Sequence, residues 1–197
     1  MALDKNLNSL SDEELIKVFQ DRNTIEAYEI LVKRFKDPLM NFVYRFVGDR
    51  DVSTDIVQDT MIKFYLNKDS YQSIAKFSTW IYTIAGNLAK NELKRRNRRS
   101  MLSISNSDDD DLVLQIEDKK FVSPDRAADN KMKHEIVQKA LLKIKSVYRE
   151  MVILRDIEGF SYEEIVDMTS VSIGTVKSRI NRGRAQLQNL LKNIYEV

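Results

Sequence analysis

Two helix-start signals stand eleven residues apart near the C-terminal end of the chain, at Ser161 and Ser172, leaving room for one short helix between them. Ser161 and Glu164 make a capping box, in which each side chain satisfies a backbone N–H that the first helical turn leaves unpaired. The helix that follows buries Ile165 and Met168, and the pattern predicts its end at Thr169–Ser170. Ser172 then caps a second helix with Gly174 and Thr175 in its first turn. Within it Ile173, Val176, Ile180, Leu187 and Leu190 recur at helical spacing and predict one buried stripe. Lys177, Ser178, Asn181, Arg182 and Arg184 fall on the remaining, exposed faces. Two short helices, a tight turn and a basic outer face fit a helix-turn-helix, where one stripe anchors the second helix and another reaches a DNA major groove. The pattern also fits an amphipathic hairpin with a solvated basic face.

The rest of the chain reads as all-α. Five glycines and two prolines in 197 residues, with no run of alternating apolar and polar positions, leave little room for strands. Helices are predicted near 12–22, 25–36, 38–48, 53–67, 79–97, 129–144, 146–157, 161–169 and 172–193. Ser11 and Glu14 form another capping box, and Asp37–Pro38 looks like a helix start. Residues 100–128 break the pattern, with four consecutive aspartates at Asp108–Asp111, and predict an acidic flexible linker. The expected organisation is therefore two small helical domains, residues 1–99 and 129–197, joined by that linker.

Two further blocks carry charge in a pattern. From Asp51 to Asn67, Val57, Met61, Phe64 and Tyr65 line one helix side. Asp55, Gln58 and Asp59, at i, i+3 and i+4, share an exposed face. From Phe77 to Arg99, Ser78 is the expected N-cap, and Trp80, Ile81, Ile84, Leu88 and Leu93 give an apolar side. The block ends with Lys90, Lys94, Arg95, Arg96, Arg98 and Arg99 set against Glu92 alone. Tyr71, Phe77, Trp80 and Tyr82 interleave with the cations, and aromatic rings can stack on unpaired bases. Trp80, sitting on the apolar stripe, is read as core. Taken alone, both blocks would also serve as solvated helix faces.

Together the three blocks resemble the extracytoplasmic-function group of bacterial RNA polymerase sigma factors. SYEEI, GTVKSR and NRGR resemble the promoter-reading domain of that family, with Val166, Ser172 and Gly183 standing where it usually has Ala, Pro and Ala. Gly183 is expected to loosen its helix by roughly 0.5–1 kcal/mol relative to Ala. Asp55, Gln58 and Asp59 before an aromatic pair resemble the segment that docks on the clamp helices of the polymerase's largest subunit. FSTWIYTIAGN resembles the helix that holds the melted promoter strand.

The resemblance implies a division of labour. Asp55, Gln58 and Asp59 would bind core polymerase. The loop 67–77 would capture an extruded base, and Tyr71, Phe77, Trp80, Asn87, Lys90, Asn91, Lys94 and Arg95 would hold the −10 strand. Thr175, Lys177, Ser178, Arg179, Asn181, Arg182 and Arg184 would bind the −35 duplex. Promoter DNA and core polymerase are the implied partners, with an anti-sigma factor as restraint and a monomer when free. The acidic linker is compatible with a path through the polymerase cleft. A stand-alone helix-turn-helix regulator and a polymerase-binding adaptor that reads no promoter are the rival readings.

Composition narrows the field. A net charge of +2 says little by itself; the alternation of acidic and basic segments is the signal. The chain has no cysteine and one histidine, His134, read as a helix-surface residue, so no thiolate or His-based metal site and no catalytic triad is expected. Its glycines are isolated and make no phosphate loop. No catalytic, cofactor or metal site is therefore expected. The acidic N-terminal stretch does not read as a signal peptide, no apolar run is long enough to insert in a membrane, and a cytoplasmic location is expected.

Overall fold

In the computed structural model, which describes residues 7–103 and 126–195, the described residues form eight α-helices and no strand. The first four are α1 (Asp12–Arg22), α2 (Ile25–Val47), α3 (Arg50–Leu66) and α4 (Phe77–Ser103). The second four are α5 (Arg126–Lys143), α6 (Ser146–Val152), α7 (Tyr162–Thr169) and α8 (Ile173–Tyr195). Both predicted capping boxes form. Glu14 N–H donates to Ser11 Oγ at 3.2 Å and Ser11 N–H to Glu14 Oε2 at 2.8 Å, starting α1. Ser161 and Glu164 repeat the exchange at 2.7 and 3.1 Å, starting α7.

The predicted break at Pro38 does not occur, because α2 runs through it. An interior proline costs a helix about 3 kcal/mol. Leu31 and Phe35 before it, and Leu39, Phe42, Val43, Phe46 and Val47 after it, are buried on one stripe. Each is worth roughly 1.5–3 kcal/mol of burial, so the stripe outweighs the proline only if the helix stays whole. The start of α4 also departs from expectation. Ser78 lies inside the first turn, and the free N–H of Phe77 donates instead to Glu13 Oε1 at 3.0 Å, from α1. That cap lies 64 residues away in sequence, outside the reach of local pattern.

The core of the first four helices is aromatic. Phe19, Phe42, Phe46, Phe64 and Phe77 are fully buried, with Phe64 and Phe77 edge to face at 5.2 Å. In the second four, α6 ends in a wide π-helical turn, Ile153–Ile157, where a regular helix is predicted to 157. The extra residue in that turn lets Ile153 and Leu154 both stay in the core and brings Glu158 round to face α4.

One apolar interior continues from the first four helices into the second. Gly48 ends α2 at φ +82°, a conformation that favours glycine, and a Cβ there would lie 2.7 Å from the tip of Leu142 of α5, which would have to shift. Arg149 of α6 is buried and donates to Phe46 O at 2.6 Å and to Leu142 O and Ile144 O at 3.0 Å. It thus joins the electronegative carbonyl ends of α2 and α5. Burial pulls its pKa down to about 10, which leaves it charged at neutral pH. Helices α4 and α5 reach further into 100–128 than predicted. The remainder of that stretch, including Asp108–Asp111, lies outside the described residues.

Candidate nucleic-acid interface

The turn between α7 and α8 forms as the sequence requires. Ser170 closes α7 in a left-handed conformation (φ 55°), and Thr175 N–H donates to Ser172 Oγ at 3.3 Å to start α8. Val176 and Ile180 are fully buried and fix the helix, while Leu187 and Leu190 pack half-buried against the same core. Ile173 departs from the predicted stripe: it lies in the first turn and is exposed. Lys177, Ser178, Asn181 and Arg182 project outward on one exposed face.

Three other predicted −35 residues are held differently. Thr175 is half-buried, its hydroxyl 2.9 Å from that of Ser172. Arg179 is half-buried and faces Glu150 of α6. Arg184 makes a two-pronged pair with Asp156, its Nε at 2.9 Å. Sequence reasoning missed Tyr162, whose ring lies 4.8 Å from the Arg155 guanidinium and 5.6 Å from Lys177 Nζ. Aromatic rings attract cations, so Tyr162 steadies Lys177 at the edge of the exposed face.

Gly183 is not simply a weak point in α8. A Cβ there would lie 2.6 Å from Val152 Cγ2 and 3.2 Å from Tyr148 O, so the glycine is where α8 crosses α6.

On α4, Asn87, Asn91, Lys94 and Arg95 are exposed, and Lys90 is half-buried. At 100° per residue Asn87, Lys90, Asn91 and Lys94 lie within an arc of roughly 100°. Several cations are already engaged: Arg95 and Arg96 both pair with Glu92, and Arg96 also reaches Asp49, the N-cap of α3, at 3.1 Å. Lys90 pairs with Glu150 at 3.2 Å.

Two of the aromatics assigned to the strand are buried. Phe77 is fully buried, and Tyr71 is 95% buried, its ring 5.8 Å from Phe77 and its hydroxyl donating to Ala75 O at 2.8 Å. Their ring faces are packed against protein at the foot of the loop 71–77. Tyr82, also buried, packs on Phe42 and Phe160. Trp80 is half-buried, edge to face with Phe64 at 6.0 Å. The base of the loop is tied to α1, where Gln20 Nε2 donates to Lys68 O at 2.7 Å and Tyr71 O at 3.0 Å. At its tip Ile74 is 89% exposed.

Asp55, Gln58 and Asp59 are all exposed on one side of α3. Ile62 and Leu66 continue that side and are exposed too, an apolar extension that sequence reasoning assigned no role. Their spacing from Asp55 and Asp59 is the signal that could have found it.

Comparison with known proteins decides what these three faces belong to. The family profile described as Sigma-70 region 2 matches residues 31–99, and the one described as Sigma-70, region 4 matches residues 134–187. The chain is 31% identical over 171 residues to the extracytoplasmic-function (ECF) RNA polymerase sigma factor SigW of Bacillus subtilis, covering 86% of this chain and 91% of that one. The chain belongs to the ECF sigma factors. It is 32% identical to the ECF RNA polymerase sigma-E factor of Escherichia coli, covering 91% of this chain and 94% of that one. A solved complex of the sigma factor RpoE with the anti-sigma factor NepR from Bartonella quintana superimposes at a TM-score of 0.64, with 27% identity and coverage of 84% and 96%. Region 2 of this ECF sigma factor thus takes in most of α2, all of α3 and most of α4. Region 4 takes in α6, α7 and most of α5 and α8. Among the described residues no helix is long and apolar enough to cross a membrane.

Proposed function

We propose that this sigma factor binds core RNA polymerase through the exposed side of α3 and directs it to promoters through α4 and α8. The observation that carries the reading is the pair of outward-facing polar and cationic surfaces on two separate helices. They are Asn87, Asn91 and Lys94 on α4, and Lys177, Ser178, Asn181 and Arg182 on α8. One helix can track an open strand while the other enters a major groove.

Residues 1–99 would carry core binding and −10 recognition, residues 129–197 would carry −35 recognition, and the stretch between would link them. In α8, Lys177, Ser178, Asn181 and Arg182 would reach base edges or nearby phosphates, with an amide at 181 suited to adenine. Thr175, Arg179 and Arg184 would hold the backbone. In α4, Asn87, Lys90, Asn91, Lys94 and Arg95 would follow the melted strand, with Trp80 at its edge. Asp55, Gln58 and Asp59 would dock on the clamp helices of the largest polymerase subunit. An anti-sigma protein is the proposed restraint, supported by the likeness to the RpoE–NepR complex.

Run-off transcription tests the reading. Core polymerase plus this chain should yield a transcript from a promoter mapped by overproducing the chain, and none without it. A tight DNA complex formed by the chain alone, with no promoter-dependent transcript on adding core, would favour a stand-alone regulator.

A further inference from the structure

Helix α1 holds the loop 67–77 at both of its ends, through two side chains on one face. Glu13 and Gln20 stand about two helical turns apart, roughly 10 Å along the axis and within about 20° of one another around it. At the start of the loop Gln20 Nε2 donates to Lys68 O at 2.7 Å and to Tyr71 O at 3.0 Å, so both amide hydrogens go to loop carbonyls. Lys68 returns the contact, its Nζ 3.3 Å from Gln20 O and 5.3 Å from the centre of the Phe19 ring. At the far end Glu13 Oε1 accepts from Phe77 N–H at 3.0 Å.

Between those two points the loop is braced across its own width. The Tyr71 hydroxyl donates to Ala75 O at 2.8 Å, while its ring lies 5.8 Å from Phe77 and 5.5 Å from Trp80. The tip, Gln72, Ser73 and Ile74, is left exposed. The support beneath is itself stiff, because a capping box starts α1 and Leu15, Ile16 and Phe19 are buried. Water could satisfy the same loop carbonyls and N–H, yet one helix face takes all three. A tip that must accept one base and refuse the others needs such a frame, since a displacement of about 1 Å can cost roughly 100-fold in rate.

We propose that Glu13 and Gln20 are positioning residues for −10 recognition. They touch no DNA, and they fix the loop so that its tip accepts one extruded base in preference to the others. Both precede residues 31–99, the stretch matched by the region 2 profile. This rests on the reading of the loop 67–77 as the segment that captures an extruded base.

The test is run-off transcription by core polymerase with the full-length chain, on the mapped promoter and on templates carrying each single-base change in its −10 element. Discrimination is the ratio of transcript from the preferred base to that from its best competitor, at the position where the wild type discriminates most. One mismatched base typically costs a protein–DNA site roughly 5- to 150-fold, and the wild-type ratio should fall in that range. Gln20→Glu keeps the shape of the side chain but sets an acceptor oxygen against two carbonyls. It should lower the ratio roughly fivefold or more, and Glu13→Ala should do the same. Glu13→Gln, which keeps an oxygen for Phe77 N–H, should restore the ratio to near the wild-type value.

A variant that merely lost stability would lower every transcript in proportion. Ser11→Ala is the control for this: it removes the cap of α1 and neither contact to the loop. It should lower the urea midpoint and leave the ratio unchanged. Circular dichroism shows which variants fold, and if one of Gln20→Glu and Glu13→Ala does not, the other decides alone. A folded Gln20→Glu or Glu13→Ala chain with the wild-type ratio overturns the proposal, as does a Ser11→Ala chain whose ratio falls as far. A wild-type chain that transcribes but discriminates at no −10 position defeats the reading of the loop instead, so the two failures are distinguishable.

Discussion

Helices α4 and α8 look alike as sequence, each a helix with a cluster of cations, yet the acids that hold part of that charge come from different places. Arg184 of α8 pairs with Asp156 and Arg179 faces Glu150, both acids outside the helix. On α8 Lys177 and Arg182 stand on an exposed face and make no ion pair among the described residues. Val176 and Ile180 do the anchoring from the far side. On α4 three of the six cations in the run are already paired: Lys90 with Glu150, and Arg95 and Arg96 with Glu92. A run of lysines and arginines therefore sets an upper limit on phosphate contacts and does not count them. The difference comes from where the acids sit. Glu92 lies within α4 itself, one helical turn from its partners, whereas α8 has no acid within a turn of Arg182.

The comparison breaks most visibly at Arg182. Arg182→Glu removes an exposed cation and adds repulsion where phosphates would approach. Promoter-dependent transcription should fall roughly 5- to 150-fold, the range for one lost specific contact at about 1–3 kcal/mol. Thermal stability should barely change, because the side chain is exposed. Transcription at the wild-type level would remove α8 from the groove.

Gly183 tests the anchoring side of the same helix. By propensity alone, Ala should stabilise α8 by up to about 1 kcal/mol. The Cβ would instead meet Val152 Cγ2 at 2.6 Å and Tyr148 O at 3.2 Å, a buried β-branched side chain and a backbone oxygen, neither of which moves aside cheaply. Overpacking of this kind costs typically about 1–3 kcal/mol. Gly183→Ala is therefore expected to lower the urea midpoint, and a raised midpoint would mean that α6 yields freely.

Gly183 also marks the limit of what the sequence reveals. Helix starts were legible because caps are local: Ser11, Ser161 and Ser172 each act on a backbone N–H three residues away. The buried positions Val176, Ile180, Ile165 and Met168 were legible from period alone. What sequence periodicity could not show is what comes from elsewhere in the chain. The Glu13 cap on α4, the Leu142 contact at Gly48, and the filling of the Tyr71 and Phe77 ring faces by neighbouring helices are all of this kind. At Pro38 the local rule was sound but was overridden by a stripe of buried residues on both sides. The candidate site divides along the same line. Exposed members such as Asn91 and Arg182 follow from helical phase, whereas Lys90, Arg179 and Arg184 have acidic neighbours on other helices or turns.

A smaller effect separates structural from phosphate-facing cations on α4. Arg96 bridges Glu92 and Asp49, and Arg96→Ala should cost roughly 0.5–1 kcal/mol, the upper range for partly exposed pairs. The dependence of single-strand binding on salt should be unaltered by it. Lys94→Ala, by contrast, should lessen the log–log salt slope by about 0.7. If both variants shift the slope equally, Arg96 leaves its acids to meet DNA and the distinction fails.

The smallest expected effect is a pH dependence of the seam between the two sets of helices. Glu150 faces Lys90 of α4 and Arg179 of α8, and Glu158 faces Tyr82 of α4 and Arg45 of α2. Despite these cations, burial dominates, and both carboxyls titrate above the ordinary glutamate value of 4.5. A group whose folded pKa is raised contributes stability that is complete below its unfolded pKa and is lost as pH rises through the folded one. The seam should therefore tighten as pH falls from neutral toward 4.5. Asp49 and Glu164 shift the opposite way, each lowered chiefly by a backbone hydrogen bond, so their influence begins only below their ordinary values. The window above 4.5 is left to the two raised carboxyls. Hydrogen exchange of α4 amides around Gly86 and Lys90, corrected for intrinsic rate, should be slower at mildly acidic than at neutral pH. In a Glu150→Gln variant, which cannot ionise at 150, that pH dependence should diminish. A seam held by favourable ion pairing would do the reverse, loosening as the carboxylates protonate, so the sign of the change decides between the two accounts.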